Sequence, residues 1–486
     1  MIELDFNNIL YTVLGPGHSI SEPELIKAIT ENASICQEVQ DEREKGKHSF
    51  LDLPYQNVSK IISLANKKAE LPLTGRASKK MSRQGWENFV VLGIGGSALG
   101  TITLQQALKP PFYNLLSARE RKGFPRLFVL DNIDSSEFQA LFKLINPQKT
   151  LFNVVSKSGE TTETIASLLI VLKILKKHLG KKYHQNLIVT TDRDKGFLRK
   201  LVNKEGLLSF ETPKNIEGRY AVLSPVGLVP AAFLGINIKK LLNGASVLDK
   251  YIQGVPVDKN PAYISALINF IYDRKKGKNI MVVMPYSSQL KAFAEWLRQL
   301  YPESLGKRYD LNNNEVNVGP TVLNALGVTD QHSQIQLYNE GPNNKLIVFI
   351  EIENSKDKIV IPGLFRNDES TSFLAGHSLQ ELMLAEKKGT EYSLIQNRRP
   401  NYTIRLKNIS EETIGALLYF WELTTAYAGK LYKVNPYNQP GVETGKHATF
   451  GLMGRKGFSA GGGPASGWEK EITNTLTKNK RWVIGF

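Results

Sequence analysis

One cysteine, Cys36, stands among 486 residues. The chain by itself therefore forms no disulfide and no thiolate metal cluster, a usage that fits a reducing compartment and predicts a cytoplasmic protein. Histidine is almost as scarce. The seven, His18, His48, His178, His184, His332, His377 and His447, include no H-E-x-x-H pair and no zinc-like spacing with acids, so no metal site is expected. There is no G-x-x-x-x-G-K-[ST], which excludes a nucleoside-triphosphate P-loop. No short repeat recurs. The amino terminus carries Glu3 and Asp5 where a secretory signal has basic residues and an apolar run, so no cleaved targeting segment is expected. Long apolar runs are also missing. Tyr220 to Ile238 is uncharged and flanked by Arg219, Lys239 and Lys240, approaching the length of a membrane span. Pro225, Pro230, Gly227 and Gly235 break helix propagation within it, which predicts a buried core segment and no membrane association.

What is present describes a folded protein. Hydrophobic residues make up 41% and charged residues 22%, values that exclude a disordered chain, a collagen and a coiled-coil rod. At about 100–200 residues per domain the length suggests two to four domains. Lys and Arg number 62 against 46 Asp and Glu, a formal charge of +16, which invites polyanion or phosphate ligands. Lys173, Lys176, Lys177, Lys181 and Lys182, however, cluster where a helix should end. Cations there favour the helix dipole, so this charge requires no nucleic-acid partner.

Strand-length apolar runs alternate with amphipathic helical stretches, the pattern of parallel α/β architecture. Phe89–Leu92, Leu127–Leu130, Leu151–Val155 and Leu187–Thr190 form a first series. Ile280–Met284 and Leu346–Ile350 form a second, and between them Leu290, Phe293, Leu297 and Leu300 recur at helical spacing with one buried face expected. A boundary is expected over Asn243–Asn260. A last helix should run from Glu411 to about Lys430, before the irregular Asn435-Pro436-Tyr437. Ser459–Gly467 has the composition of a flexible linker.

Two turns carry phosphate-binding chemistry. Gly93-Ile94-Gly95-Gly96-Ser97 follows the first strand and opens a helix, where backbone amides can approach an anion. Gly93, Gly95 and Ala98 also match the dinucleotide fingerprint, but the acid closing the next strand, Asp131, lies 33 residues after Ala98. The ribose-binding acid should lie about 20 residues on, so a nicotinamide site is disfavoured. The third strand delivers Ser156-Lys157-Ser158-Gly159-Glu160-Thr161, a cluster of hydroxyl and amide donors suited to a phosphate monoester. Helix capping alone is the competing account. Farther on, Glu303 follows Gln299 by one helical turn, and His332 sits in Asp330-Gln331-His332-Ser333. Singly, they read as a surface carboxylate and a loop histidine.

Together, six ordered segments resemble the glucose-6-phosphate isomerase (phosphoglucose isomerase) family: Gly93–Ser97, Ser156–Thr164, Gly218-Arg219-Tyr220, Glu303-Ser304-Leu305-Gly306-Lys307, Gln331-His332 and Gly441–Lys446. The resemblance spans about Gly93 to Lys446. Glu217 stands where the family usually has glycine, and Pro440 where it has an aromatic. The resemblance implies two sugar-isomerase (SIS-type) parallel-sheet α/β domains with a C-terminal helical arm. Their expected limits are a helical segment 1–48, domains 49–250 and 251–430, and an arm and tail 431–486. It also implies a homodimer and no cofactor.

By the same resemblance, Gly96, Ser97, Ser156, Lys157, Ser158, Thr161 and Gly218 would bind the sugar phosphate, with Gln299 and Gln439 positioning the carbon chain. Glu303 would be the base, Arg219 would stabilise developing charge, and His332 from the partner subunit with Lys446 would open the ring. Aldose–ketose isomerisation needs one carboxylate to move a proton between C1 and C2, and a fixed cation for the enediolate. Rival expectations are a broader isomerase that also takes mannose 6-phosphate, and a sugar-phosphate-sensing regulator. The regulator needs the phosphate loop but not Glu303, His332 and Lys446 together.

Overall fold

Apolar runs without polar alternation become strands covered on both faces, as parallel sheets require. Asn88–Leu92 and Thr150–Ser156 are buried at every position. The computed structural model describes residues 1–69, 85–355 and 358–455, and the expected linker Ser459–Gly467 lies outside them. In chain order the strands are β1 (Ile2–Asp5), β2 (Asn88–Leu92), β3 (Arg126–Leu130), β4 (Thr150–Ser156), β5 (Leu187–Thr191), β6 (Leu208–Glu211), β7 (Ile280–Pro285), β8 (Lys307–Tyr309), β9 (Glu315–Val318), β10 (Thr321–Asn324), β11 (Lys345–Ile352) and β12 (Asn401–Leu406).

Two five-stranded sheets result. The first has the order β3-β2-β4-β5-β6 and is parallel throughout. The second has the order β1-β12-β11-β7-β10, parallel except that β1 runs antiparallel to β12, with Ile2 opposite Leu406. The helical N-terminal stretch therefore begins with a strand that closes one edge of the second sheet. β8 and β9 form a separate antiparallel pair.

The helix Lys291–Leu305 buries the face anticipated from its spacing. Leu290, Phe293, Leu297 and Leu300 are all solvent-inaccessible, each contributing about 1.5–3 kcal/mol of burial. Tyr220–Ile238 is a core segment, but it is not helix-free. Ser224 caps a helix over Pro225–Phe233 by accepting from Val226 N; Pro225 occupies the first turn, where its missing N–H is an orphan anyway. Pro230 ends up inside this nine-residue helix. Among the described residues no helix is long and apolar enough to cross a membrane. Most of the segment Asn243–Asn260, where a boundary is expected, lies in the helix Ile238–Gly254.

The long helix Glu411–Leu431 is buried on all sides from Thr413 to Gly429, as a helix at the centre of a large core must be. It packs on the helices Ile238–Gly254 and Pro261–Lys276. The chain divides into two compact units, Met1–Pro436 and Tyr437–Phe486. The described part of the second carries a short turn, Pro440–Val442, and the helix Glu443–Leu452.

Candidate functional site

Ligand loops in parallel sheets sit at the carboxyl ends of strands, and both phosphate-type turns arise there. β2 passes into Gly95–Ser97, a single 3-10 turn, before the helix Leu99–Leu108. Gly96 is required by close approach. A Cβ there would stand 2.2 Å from the carbonyl carbon of Gly218 and 2.6 Å from Arg219 N. Gly95 has φ +57°, and a Cβ there would stand 2.9 Å from Gln299 Nε2. The space these glycines leave is thus filled by the protein's own Gly218–Arg219 backbone and the Gln299 amide, which speaks against the dinucleotide account of this loop. Gln299 Oε1 is buried without a hydrogen-bond partner among the described residues, an acceptor that remains to be satisfied.

β4 ends at Ser156, whose hydroxyl organises the next loop. Ser156 Oγ lies 2.8 Å from Thr161 Oγ1 and 3.5 Å from Ser158 Oγ, and it accepts from Gly159 N at 3.2 Å. Thr161 occupies the N-cap of the helix Thr162–Leu179, yet its side chain makes no capping bond. Capping therefore does not explain this hydroxyl, which is turned toward Ser156. Lys157 Nζ is 3.0 Å from Glu217 Oε1, so Glu217, the departure from the family pattern, ties this loop to the Gly218–Arg219 turn. Ser97, Lys157 and Thr161 are partly accessible and Ser158 is exposed.

Arg219 is the hub of the deeper part. It is buried, and its guanidinium donates from Nε to Ser304 Oγ at 2.8 Å, from Nη1 to Glu303 Oε1 at 3.1 Å, and from Nη2 to the Pro436 carbonyl at 2.7 Å. Such anchoring fixes the plane of the cation. The Glu303 side chain is 31% exposed, so a carboxylate held at one oxygen by a buried cation still reaches solvent. Glu303 and Ser304 lie in the last turn of the helix Lys291–Leu305, where carbonyls lack intrahelical partners. Lys307 satisfies two of them, donating to Glu303 O at 3.0 Å and Ser304 O at 2.6 Å. Burial and then the Arg219 charge push the Lys307 ammonium down to about 8, against a smaller opposing pull from Glu303.

The structure thus brings together Gly96, Gly218, Arg219, Gln299 and Glu303, with Lys157 joined through Glu217. His332 sits apart from this group's bonds, exposed on the turn Thr329–His332. Its neighbour Gln331 is anchored by Tyr286 Oη at 3.3 Å and by Glu386 at 3.1 Å. Gln439 and Lys446 belong to the second unit, where Lys446 Nζ pairs with Glu443 Oε1 at 2.9 Å on the helix Glu443–Leu452. Ser304, Lys307 and the Pro436 carbonyl received no role from the sequence. A lysine one turn beyond a helical Glu-Ser pair is the usual signal of a carbonyl-capping cation and could have flagged Lys307. No local signal marks a backbone carbonyl 217 residues away.

A family model described as phosphoglucose isomerase matches residues 55–453. Relatives include a glucose-6-phosphate isomerase of Carboxydothermus hydrogenoformans, 44% identical over 94% of this chain and 96% of its own length. Another, from Rubrobacter xylanophilus, is 41% identical over 82% of this chain and 90% of its own. Among solved structures, a hypothetical protein from Thermus thermophilus aligns with TM-score 0.80 at 31% identity, covering 93% of this chain and 100% of that one. A glucose-6-phosphate isomerase from Chlamydia trachomatis aligns with TM-score 0.68 at 22% identity, over 86% of this chain and 75% of that one, and supports the fold.

Proposed function

This chain belongs to the phosphoglucose isomerase family, and from that premise we propose that it interconverts glucose 6-phosphate and fructose 6-phosphate in the cytoplasm, in glycolysis and gluconeogenesis. The observation that carries the proposal is the buried Arg219 guanidinium holding the accessible Glu303 carboxylate at 3.1 Å. A base and a fixed cation at one point are what an enediolate reaction requires.

The sugar phosphate is received by Gly96, Ser97, Ser156, Lys157, Ser158, Thr161 and Gly218. Its dianion anchors one end, so binding energy away from the reacting carbons orients them. His332 of the partner subunit and Lys446 supply the acid and base that open the pyranose. Glu303 then removes the proton at C2 and returns it at C1 on the same face through a cis-enediol. Arg219 stabilises the charge on the enediolate oxygens more in the transition state than in the substrate. Gln299, whose Oε1 awaits a donor, and Gln439 position the open chain. This chemistry needs no metal and no cofactor, and the functional species is a homodimer.

The shared site is testable by mixing. Inactive Glu303→Gln and His332→Ala dimers, after subunit exchange verified by mass spectrometry, should regain about a quarter to a half of native turnover in a coupled assay, since mixed dimers assemble one intact site. No rescue despite verified exchange would refute donation across the interface.

A further inference from the structure

Away from the Arg219–Glu303 group, the amino-terminal edge of the second sheet gathers cations without counter-charges. The starts of β7, β11 and β12 lie side by side there, Lys345 opposite Ile280 and Ile347 opposite Asn401. Just before them come Lys278, Lys345 itself and the pair Arg398-Arg399. Lys278 and Lys345 are only 5% and 6% exposed, which is rare for a lysine without an acid partner.

Their bonds go to neutral acceptors. Lys278 Nζ donates to the Asn343 carbonyl and to Asn343 Oδ1 at 2.8 Å; Lys345 Nζ donates to Pro342 O at 3.2 Å and Asn344 Oδ1 at 2.8 Å. Each ammonium has three protons, so each keeps one unused. Arg399 spends Nε and Nη2 on the Asn339 carbonyl, while its Nη1 is buried without a partner among the described residues. His18 joins through Nδ1, 3.3 Å from Asn343 Nδ2, which leaves Nε2–H as a further donor. Neither nearby carboxylate pairs with these cations: Glu24 pairs with Lys276 at 3.2 Å, and Glu340, which accepts from Gln336 at 2.8 Å, forms no ion pair among the described residues.

Capping accounts for part of this. Three helices, Pro261–Lys276, Ile335–Glu340 and Leu379–Gln396, end here, and cations are favoured at helix C-termini. At roughly half a negative charge per terminus, about one and a half charges face four cations. An excess of more than two remains. Burial first, then the mutual field of these cations, lowers the proton affinity of His18, Lys278 and Lys345, with Lys278 down to about 8. No carboxylate offsets those shifts. No hydrogen bond or ion pair connects the cluster to Glu303 or Lys307 among the described residues.

We propose that this edge is a second anion site, in which Lys278, Lys345, the free Nη1 of Arg399 and His18 take up a phosphate dianion. The Arg399 charge acts on His18, Lys278 and Lys345 alike, and unspent protons on cations so close together suit a tetrahedral oxyanion; Arg398 is exposed. The ligand is either free phosphate or the phosphoryl group of a small ester.

Calorimetric titration of the full chain with inorganic phosphate and, separately, methyl phosphate tests this. The native chain should bind at the cluster, and Lys278→Gln/Arg399→Gln should lose that binding while retaining the native KM for glucose 6-phosphate. Arg399→Gln alone keeps both lysine-capped turns and should weaken binding about tenfold, the value of one charge-assisted bond. Binding of both compounds identifies the phosphoryl group as ligand, and binding of phosphate alone identifies the free ion; either supports the site. Identical stoichiometry and affinity in native and Arg399→Gln chains would overturn it. So would thermal stabilisation by phosphate no larger than that by chloride at equal ionic strength.

Discussion

Replacing Ser304 by alanine removes one oxygen atom, and the consequence can be worked out from the bond it makes to Arg219. Ser304 Oγ accepts from Arg219 Nε at 2.8 Å, and both residues are buried. The substitution removes the acceptor of a charged N–H that is buried together with it. A hydrogen bond to a charged group contributes about 1.5–3 kcal/mol, and orphaning its buried donor costs a similar amount. The guanidinium keeps Glu303 and the Pro436 carbonyl as partners, so it stays bound but loses the contact that fixes its Nε edge. If about 2 kcal/mol of the alignment is expressed only when charge develops on the substrate, kcat falls roughly 30-fold. KM should move less than about threefold, because ground-state contacts to the phosphate are untouched. Urea unfolding followed by fluorescence should report a stability loss of about 1–3 kcal/mol. A coupled assay with fructose 6-phosphate gives kcat and KM separately. A kcat within twofold of native would refute the claim that Ser304 positions the cation.

Two other predictions concern alkaline pH and the glycine contact. Lys307 and Lys278 are each pushed down to about 8 in the folded chain, against about 10.4 when unfolded. Below pH 8 both are charged in both states, and their burial penalty is fully present. Between pH 8 and about 10 the unfolded chain binds more protons than the folded one, so stability should rise with pH. Urea midpoints measured across that window should climb, and Lys307→Met should flatten the climb; an unchanged slope in the variant would contradict the assignment. Gly96→Ala places a methyl 2.2 Å from the Gly218 carbonyl carbon and should lower turnover by about 100-fold or more as the two backbones separate. Gly389→Ala, with nothing within 4 Å, should be active and slightly more stable; equal effects of the two would remove the contact from the account.

How much of this was visible in the sequence depends on range. Runs such as Phe89–Leu92 and Leu187–Thr190 emerge as β2 and β5 because a strand covered on both faces must be apolar at every position, and such runs have little else to be. The helix face of Leu290, Phe293, Leu297 and Leu300 was equally plain from its period. β1 was not, since Ile2–Asp5 is four residues long, carries two acids and earns its place only by pairing with β12. Arg405 bonds both Glu3 and Asp5 across that pair, a partnership between the two ends of the first compact unit. The helix Pro225–Phe233 escaped notice because proline propensity weighs against helix in general, while a first-turn proline carries no such penalty.

The candidate site divides in the same way. Its side chains were legible as residue types in motifs, whereas their meeting depends on backbone approach. Gly96 against Gly218 is a contact between two loops far apart in the chain whose only sequence trace is the absence of side chains. Ser304 looked like a helix-end serine, and the Pro436 carbonyl has no side-chain identity to read.

Proton movement at C2 through Glu303 is the centre of the account, and proton NMR of the reaction in deuterated water addresses it directly. The native chain should place solvent deuterium in the isomerised sugar phosphate, and Glu303→Gln should lose both turnover and deuterium uptake while still binding fructose 6-phosphate within a few-fold of native affinity. Complete retention of the substrate hydrogen in the native product, or near-native turnover by Glu303→Gln, would contradict it.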